Sequence, residues 1–382
     1  MRKVSLPLNV GTANRGATPV RLALLLVMAA LVGACGGFGG AARSSPPAAS
    51  SSRTASPSAN SSGGPSPVAL TGAFGVLVSP LSNTNYTVSL VGVDGRVVSS
   101  AIASSPSAVT CANAANAVVP LPVSTSNTRV YYMDALGVVR FLAPNGDTGK
   151  TVTLPIGPAR RSLFAVSPDD SLMAVVVVDF TATGATTRLY LYQLQPGGTQ
   201  QQTFGQTGAF TLWPTGWRGQ TTLILAKVPS CVPGSGPFCC GPQEFHLVDP
   251  KTAVRRFTVG SPTCVIAGAP SPAGAVCENS TFDVATELDW TGAQIGGFPI
   301  GGPSLAYLSP NAQSVAVISG ATTSIFRTNT SFGFQACGWI DDTHIFSGGD
   351  AQQQPRVGDI STSNVVPIAA QGDCGGRIPG GF

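Results

Sequence analysis

Residues 164 to 179, FAVSPDDSLMAVVVVD, set an apolar run, a Ser-Pro-Asp break and a β-branched run in series. That is the pattern of a strand, a tight turn and a second strand. Pro168 presets φ for the second turn position, and Ser167 suits the first. The phrase returns as AYLSPNAQSVAVIS at 306 to 319, and it can be placed at Ser79, Ser124 and Ser271. Two degenerate copies, GWRGQTTLIL and GWIDDTHIF, put Arg218 and Ile340 at the serine position and a tryptophan where the strand enters the turn.

A second phrase runs in step with the first: an apolar strand enters an Asp- or Gly-bearing turn and leaves as another strand. Its copies include LVGVDGRVVSS, YYMDALGVVRF, HLVDPKTAVRRF, ELDWTGAQIGG and VGDISTSNVVPI. The seven anchors, 79, 124, 167, 218, 271, 309 and 340, are spaced by 31 to 53 residues. Two hairpins per period of roughly 40 to 45 residues describe a four-stranded blade, which needs neighbours to bury its faces. The expected fold is therefore all-β, a β-propeller of seven four-stranded blades with the turn at each anchor joining the two inner strands. A pair of β-sandwiches is the alternative.

The Ser-Pro-Asp turn followed by a D-x-x-G hairpin resembles the Tol-type and WD-repeat-like bacterial β-propellers over roughly residues 70 to 382. Asp170 and Ala312 stand where that turn usually has glycine. The resemblance implies fold and says almost nothing of activity.

The N-terminus carries a different pattern. Arg2, Lys3, Arg15 and Arg21 precede the run LALLLVMAALV, with no acidic residue among them, as in a secretory leader. The run is too short to span a bilayer, which takes about 20 residues. It ends in VGAC, and Gly33, Ala34 and Cys35 resemble a bacterial lipobox. The resemblance implies that residues 1–34 are a lipoprotein signal peptide and that Cys35 carries the lipid. Residues 35–68, almost wholly Gly, Ala, Ser and Pro after the cysteine, read as a flexible tether, leaving 69–382 for the propeller. The expected location is the cell membrane or outer membrane, lipid-anchored, on the extracytoplasmic face.

Charge changes little. The 21 basic and 17 acidic residues give +4, and the four leader cations account for the whole excess. A near-neutral mature chain has no nucleic-acid footprint, which would need clustered Lys and Arg. The nine cysteines fit an exported address: with Cys35 lipidated, eight remain as disulfide candidates, Cys111, Cys231, Cys239, Cys240, Cys264, Cys277, Cys337 and Cys374. Local bridges come first, Cys231 with Cys239 or Cys240 and Cys264 with Cys277. A zinc site at 231 to 240 is the alternative, against which stands the lack of a regular C-x-x-C pair.

Few residues carry candidate chemistry. Asp94, Asp134, Asp249, Asp289 and Asp359, with Asp169, Asp341 and Asp342, are read as turn formers whose carboxylates bond to nearby backbone amides. In ENSTFDVATELDW, Asp283, Glu287 and Asp289 would share one strand face and could hold calcium; a solvated face is the plainer reading. His246 and His344 lie in no catalytic motif, and the four tryptophans read as blade core. The loop 229 to 243 is the longest insertion and a candidate recognition surface. No catalytic residue, cofactor or metal site is assigned. The expected function is non-catalytic: a binding or scaffold module for a protein or cell-envelope ligand, held to the membrane by the N-terminal lipid. The alternative is a propeller enzyme of the lactonase, quinone-dependent sugar dehydrogenase or glycan-acting type, with carboxylates or calcium at the channel mouth.

Overall fold

The computed structural model describes residues 72–81, 83–111, 115–181, 184–195, 198–233 and 242–382. The leader, Cys35, the tether, Cys239 and Cys240 lie outside these residues. No helix occurs among the described residues, so none is long and apolar enough to cross a membrane.

The strands follow the expected period. Blade 1 contains β1 (Phe74–Val78), β2 (Asn85–Gly92) and β3 (Val97–Ser104), after which β4 (Ala115–Ala117) stands apart. Blade 2 is β5 (Val123–Thr125), β6 (Val130–Met133), β7 (Val138–Leu142) and β8 (Thr148–Thr153). Blade 3 is β9 (Arg160–Val166), β10 (Leu172–Phe180), β11 (Ala185–Gln193) and β12 (Gln200–Gly208). Blade 4 is β13 (Phe210–Arg218) and β14 (Thr222–Pro229), then, past the short β15 (Cys231–Pro233), β16 (Glu244–Val248) and β17 (Arg255–Val259). Blade 5 is β18 (Cys264–Ile266), β19 (Ala275–Asn279), β20 (Val284–Leu288) and β21 (Gln294–Pro299). Blade 6 is β22 (Leu305–Leu308), β23 (Val315–Ser319), β24 (Thr322–Phe326) and β25 (Ser331–Phe332). Blade 7 is β26 (Gly338–Trp339), β27 (His344–Ser347), β28 (Arg356–Asp359) and β29 (Val365–Pro367). The last strand, β30 (Asp373–Ile378), pairs with β1 and completes blade 1.

Among the described residues these strands make seven four-stranded antiparallel sheets, a seven-bladed β-propeller. Because β30 lies against β5 and β26, it is the innermost strand of blade 1, and β1 is the second. The ring is thus closed by pairing the two ends of the domain, which removes an exposed seam.

Alternation explains the core. In β10, Met173, Val175 and Val177 pack with Tyr131 and Met133 of blade 2, whereas Ala174, Val176 and Val178 join the cluster containing Leu212 and Leu225 of blade 4. Period-2 side chains on a strand covered on both faces give the near-continuous apolar run seen in the sequence.

The repeated turn is built by side chains. The Ser167 and Ser309 hydroxyls accept from the Leu172 and Ser314 amides at 2.9 and 3.0 Å and donate to Asp169 and Asn311. Asp170 and Ala312, at the glycine position of the turn, take φ of 62° and 58°. Two anchors shift. In blade 2 the turn serine is Ser126, which accepts from Thr128 and Arg129, because Ser124 is still in β5. Ser79 joins the second and third strands of its blade, since β30 takes the inner place.

All four tryptophans are buried. The two that precede degenerate anchors act alike, for Trp217 donates its indole N–H to the Ala165 carbonyl at 3.0 Å and Trp339 donates to that of Tyr307 at 2.8 Å. Each ties its blade to the inner strand of the preceding one. Beyond β30 the chain crosses this rim, with Gly380 donating to Ser126 and Phe382 to Trp217 through their amides. The Phe382 ring lies 5.4 Å from Trp290 and against Gly216, where a Cβ would come within 2.3 Å of the ring.

Three disulfides occur among the described residues. Cys264–Cys277 joins β18 to β19, and Cys337–Cys374 joins the connector before β26 to β30. Cys231 departs from the expected local bridge: its partner is Cys111, 120 residues away. The cause is a strand pair, since β15 lies antiparallel to β4 with Cys231 opposite Ala117. The pair brings the blade 1–2 connector onto blade 4, and Val109, Cys111, Ala117 and Val118 enter the core cluster shared by blades 3 to 5.

Candidate functional site

The acidic stretch does not form a shared face. The strand covers only Val284–Leu288, so Asp283 and Asp289 fall in turns, bonding to Thr281 and to the Thr291 and Ala293 amides. Glu287 is fully buried and takes two bonds from Arg327, at 2.7 and 2.8 Å. Among the described residues no group of three or more His, Cys, Asp or Glu could hold a metal ion. His344 is paired with Asp341 inside a turn, Nδ1 to Oδ1 at 2.9 Å. The part of the 229 to 243 loop that is described is occupied by the Cys111–Cys231 staple.

A cleft of about 400 Å³ opens where the outer halves of blades 3 and 4 diverge. Phe204, Gln206 and Gly208 of β12 form one wall; Phe210, Leu212, Leu225 and Val248 form the floor and the other wall. Polar groups on this second wall follow from alternation in β16: Phe245 and Leu247 turn inward, so Glu244 and His246 face the cleft. Register places Lys227 of β14 directly opposite Glu244.

Lys227 Nζ donates to Glu244 Oε1 at 3.1 Å and lies 4.9 Å from the Phe210 ring centroid, so the ammonium is held by a carboxylate and a π-face. His246 Nε2 sits 2.9 Å from the same carboxylate oxygen and 3.2 Å from Arg255 Nη1. Burial alone would raise the pKa of Glu244, but hydrogen bonds from His246 and Lys227 and the lysine charge hold the carboxyl below its usual range. Burial lowers the pKa of His246; Glu244 opposes that shift, while the Arg255 and Lys227 charges add to it.

A neutral imidazole nitrogen is either donor or acceptor. Nε2 can donate to Glu244 or accept from Arg255, and not both. When it serves Glu244, the exposed Arg255 guanidinium at the edge of the cleft has no carboxylate paired with it among the described residues. A second groove of about 830 Å³, between blades 5 and 6, differs here: its arginine, Arg327, is already committed to Glu287, and its wall carries the stacked Phe298 and Phe326 rings, 4.4 Å apart. Sequence reading placed His246 in a strand with alternating neighbours but missed this cluster. The Lys227–Glu244 pairing spans the long loop, and its register is not a local property.

No family model matches the chain, and no curated protein matches it. Solved structures resemble it at low overlap. One chain in the crystal structure of the mitotic checkpoint complex is 11% identical with a TM-score of 0.43, covering 69% of this chain and 80% of that one. Sqt1 of Saccharomyces cerevisiae is 10% identical with a TM-score of 0.39, covering 68% and 87%. Prolyl oligopeptidase B from Galerina marginata is 11% identical with a TM-score of 0.37, covering 78% of this chain and 42% of that one. At these scores the likenesses carry no weight for function, and the propeller stands on its own sheet topology.

Proposed function

We propose that this protein is a lipid-anchored, extracytoplasmic binding module, and that its ligand, a protein segment or cell-envelope component, seats in the cleft between blades 3 and 4. The observation that carries the reading is Arg255: a guanidinium without a carboxylate partner, at the edge of an apolar floor. A ligand that fits has an apolar side chain to lie between Phe204 and Phe210 and an acidic or carbonyl oxygen for the guanidinium fork. Three disulfides suit an oxidising compartment, and the Arg2-to-Cys35 leader supports anchoring through the cysteine.

The test is crosslinking on intact cells, followed by purification of the anchored protein as wild type and as Arg255→Glu. A stoichiometric envelope component that comes with the wild type and is lost from the variant supports the reading. A component recovered equally with both removes the cleft from it. The competing enzymatic reading would use His246 and Glu244 as an acid–base pair. Turnover of a lactone or glycan by the wild type, abolished in His246→Gln, would put that reading first.

A further inference from the structure

The titratable side chains that line the cleft between blades 3 and 4 are Lys227, Glu244, His246 and Arg255. They come from β14, β16 and β17, and the facing wall, β12, offers only the neutral Phe204, Gln206 and Thr207. Arg256, the next residue of β17, is bound by Asp249 instead. The charge of this wall is therefore set by fixed ions and by His246, the one group there that titrates near neutrality.

His246 Nε2 is where the set conflicts. It lies 2.9 Å from Glu244 Oε1 and 3.2 Å from Arg255 Nη1. A neutral imidazole serves one of them at a time: with the proton on Nε2 it donates to the carboxylate, and with the proton on Nδ1 it accepts from the guanidinium. The imidazolium carries a proton on both nitrogens. Its Nε2 then serves Glu244 alone, and Arg255 faces a donor and a second positive charge at hydrogen-bond distance. The His246 and Glu244 side chains are only 15% and 13% exposed, so this repulsion is weakly screened. Arg255 is exposed and has solvent to move into, whereas Lys227 is held by Glu244 and the Phe210 ring.

We infer, on the reading that the cleft is the ligand site, that protonation of His246 strengthens its hold on anionic groups by turning Arg255 off the blade 4 wall and adding a positive charge beside Glu244. Burial, with the Arg255 and Lys227 charges, outweighs Glu244 and holds the His246 pKa below its usual 6.5, so the ring is neutral at neutral pH. An anion bound beside the ring favours the imidazolium and raises that pKa. Affinity for the anion therefore rises as pH falls through the window between the bound and free values. A unit charge about 8 Å from the anion, at an effective dielectric of about 40, changes affinity roughly fivefold.

The probes are benzenesulfonate, which keeps its charge over this range, and benzenesulfonamide, its neutral analogue. Each is titrated into the full chain and followed by NMR at about pH 7.5 and about pH 5, on either side of the histidine range. Benzenesulfonate should bind roughly fivefold tighter in acid, benzenesulfonamide equally at both values, and His246→Gln should remove the difference. Without ligand, the His246 ring should titrate at higher pH in Arg255→Gln and at lower pH in Glu244→Gln, while His344 in blade 7 stays unmoved. That readout needs no His246 variant, so it decides the matter if His246→Gln fails to fold. Benzenesulfonate binding equally at both pH values, a pH response kept in His246→Gln, or a His246 titration unchanged by Arg255→Gln would each overturn the inference and leave the cleft reading standing. Failure of both probes to bind at either pH would overturn it together with the cleft reading.

Discussion

Replacing Cys111 and Cys231 together by alanine removes a cross-link that spans 120 residues. Cross-linking restricts the unfolded chain more as the closed loop grows. The chain-entropy relation assigns ~4.9 kcal/mol to this bridge at 25 °C. The same relation gives ~3.8 kcal/mol for Cys337–Cys374, which closes 37 residues, and ~2.9 kcal/mol for Cys264–Cys277, which closes 13. The three loops are not nested, so their effects should add. In the folded state β4 still pairs with β15, and Val109 and Val118 stay buried, which leaves the unfolded state as the main seat of the change. Guanidinium unfolding of the three double-alanine variants measures the prediction: midpoints should fall in the order of loop length, and the m-value should rise as the freed chain exposes more surface. A loss of under ~1 kcal/mol for the Cys111/Cys231 variant, well short of the 2 to 5 typical for a native bridge, would refute the reasoning. So would a larger loss at Cys264–Cys277.

Cys35→Ala should move the protein from the membrane fraction to the soluble extracytoplasmic fraction, and continued membrane retention would overturn the lipid anchor. Trp217→Phe removes the indole donor that reaches the Ala165 carbonyl at 3.0 Å, while that carbonyl keeps its β9–β10 ladder bond, and should cost about 0.5 to 1.5 kcal/mol; a midpoint equal to wild type would remove the indole bond as a tie between blades 3 and 4. Asp359 is held at about 2, chiefly by the Ser361 and Thr362 hydroxyls. A carboxyl depressed on folding stabilises above its unfolded pKa near 3.9 and loses that contribution as pH falls through the folded value. Melting temperature should therefore drop between about pH 4 and 2, and Asp359→Asn should flatten that drop; an unchanged acid limb in the variant would assign the effect to other carboxyls.

Much of the fold was legible because its code is local. Alternation in FAVSPDDSLMAVVVVD marks two strands, a short polar turn marks their reversal, and recurrence of the phrase announces blades that need each other's faces. The positive φ at Asp170 and Ala312 sits where the resemblance implied a glycine. Tryptophan at the degenerate anchors signalled core, although its bond to the preceding blade was not visible. What the chain could not show alone is non-local. Ser79 fell into a different hairpin because β30, from the far end of the domain, takes the innermost place in blade 1. Cys231 met Cys111 because two short strands distant in sequence pair on the rim. Glu244, His246, Lys227 and Arg255 became one cluster only through register across a loop. Local sequence determined which segments are strands and where they turn; the packing of blade on blade, which depends on every strand at once, decided which residues share a cleft and which charge is left without a partner.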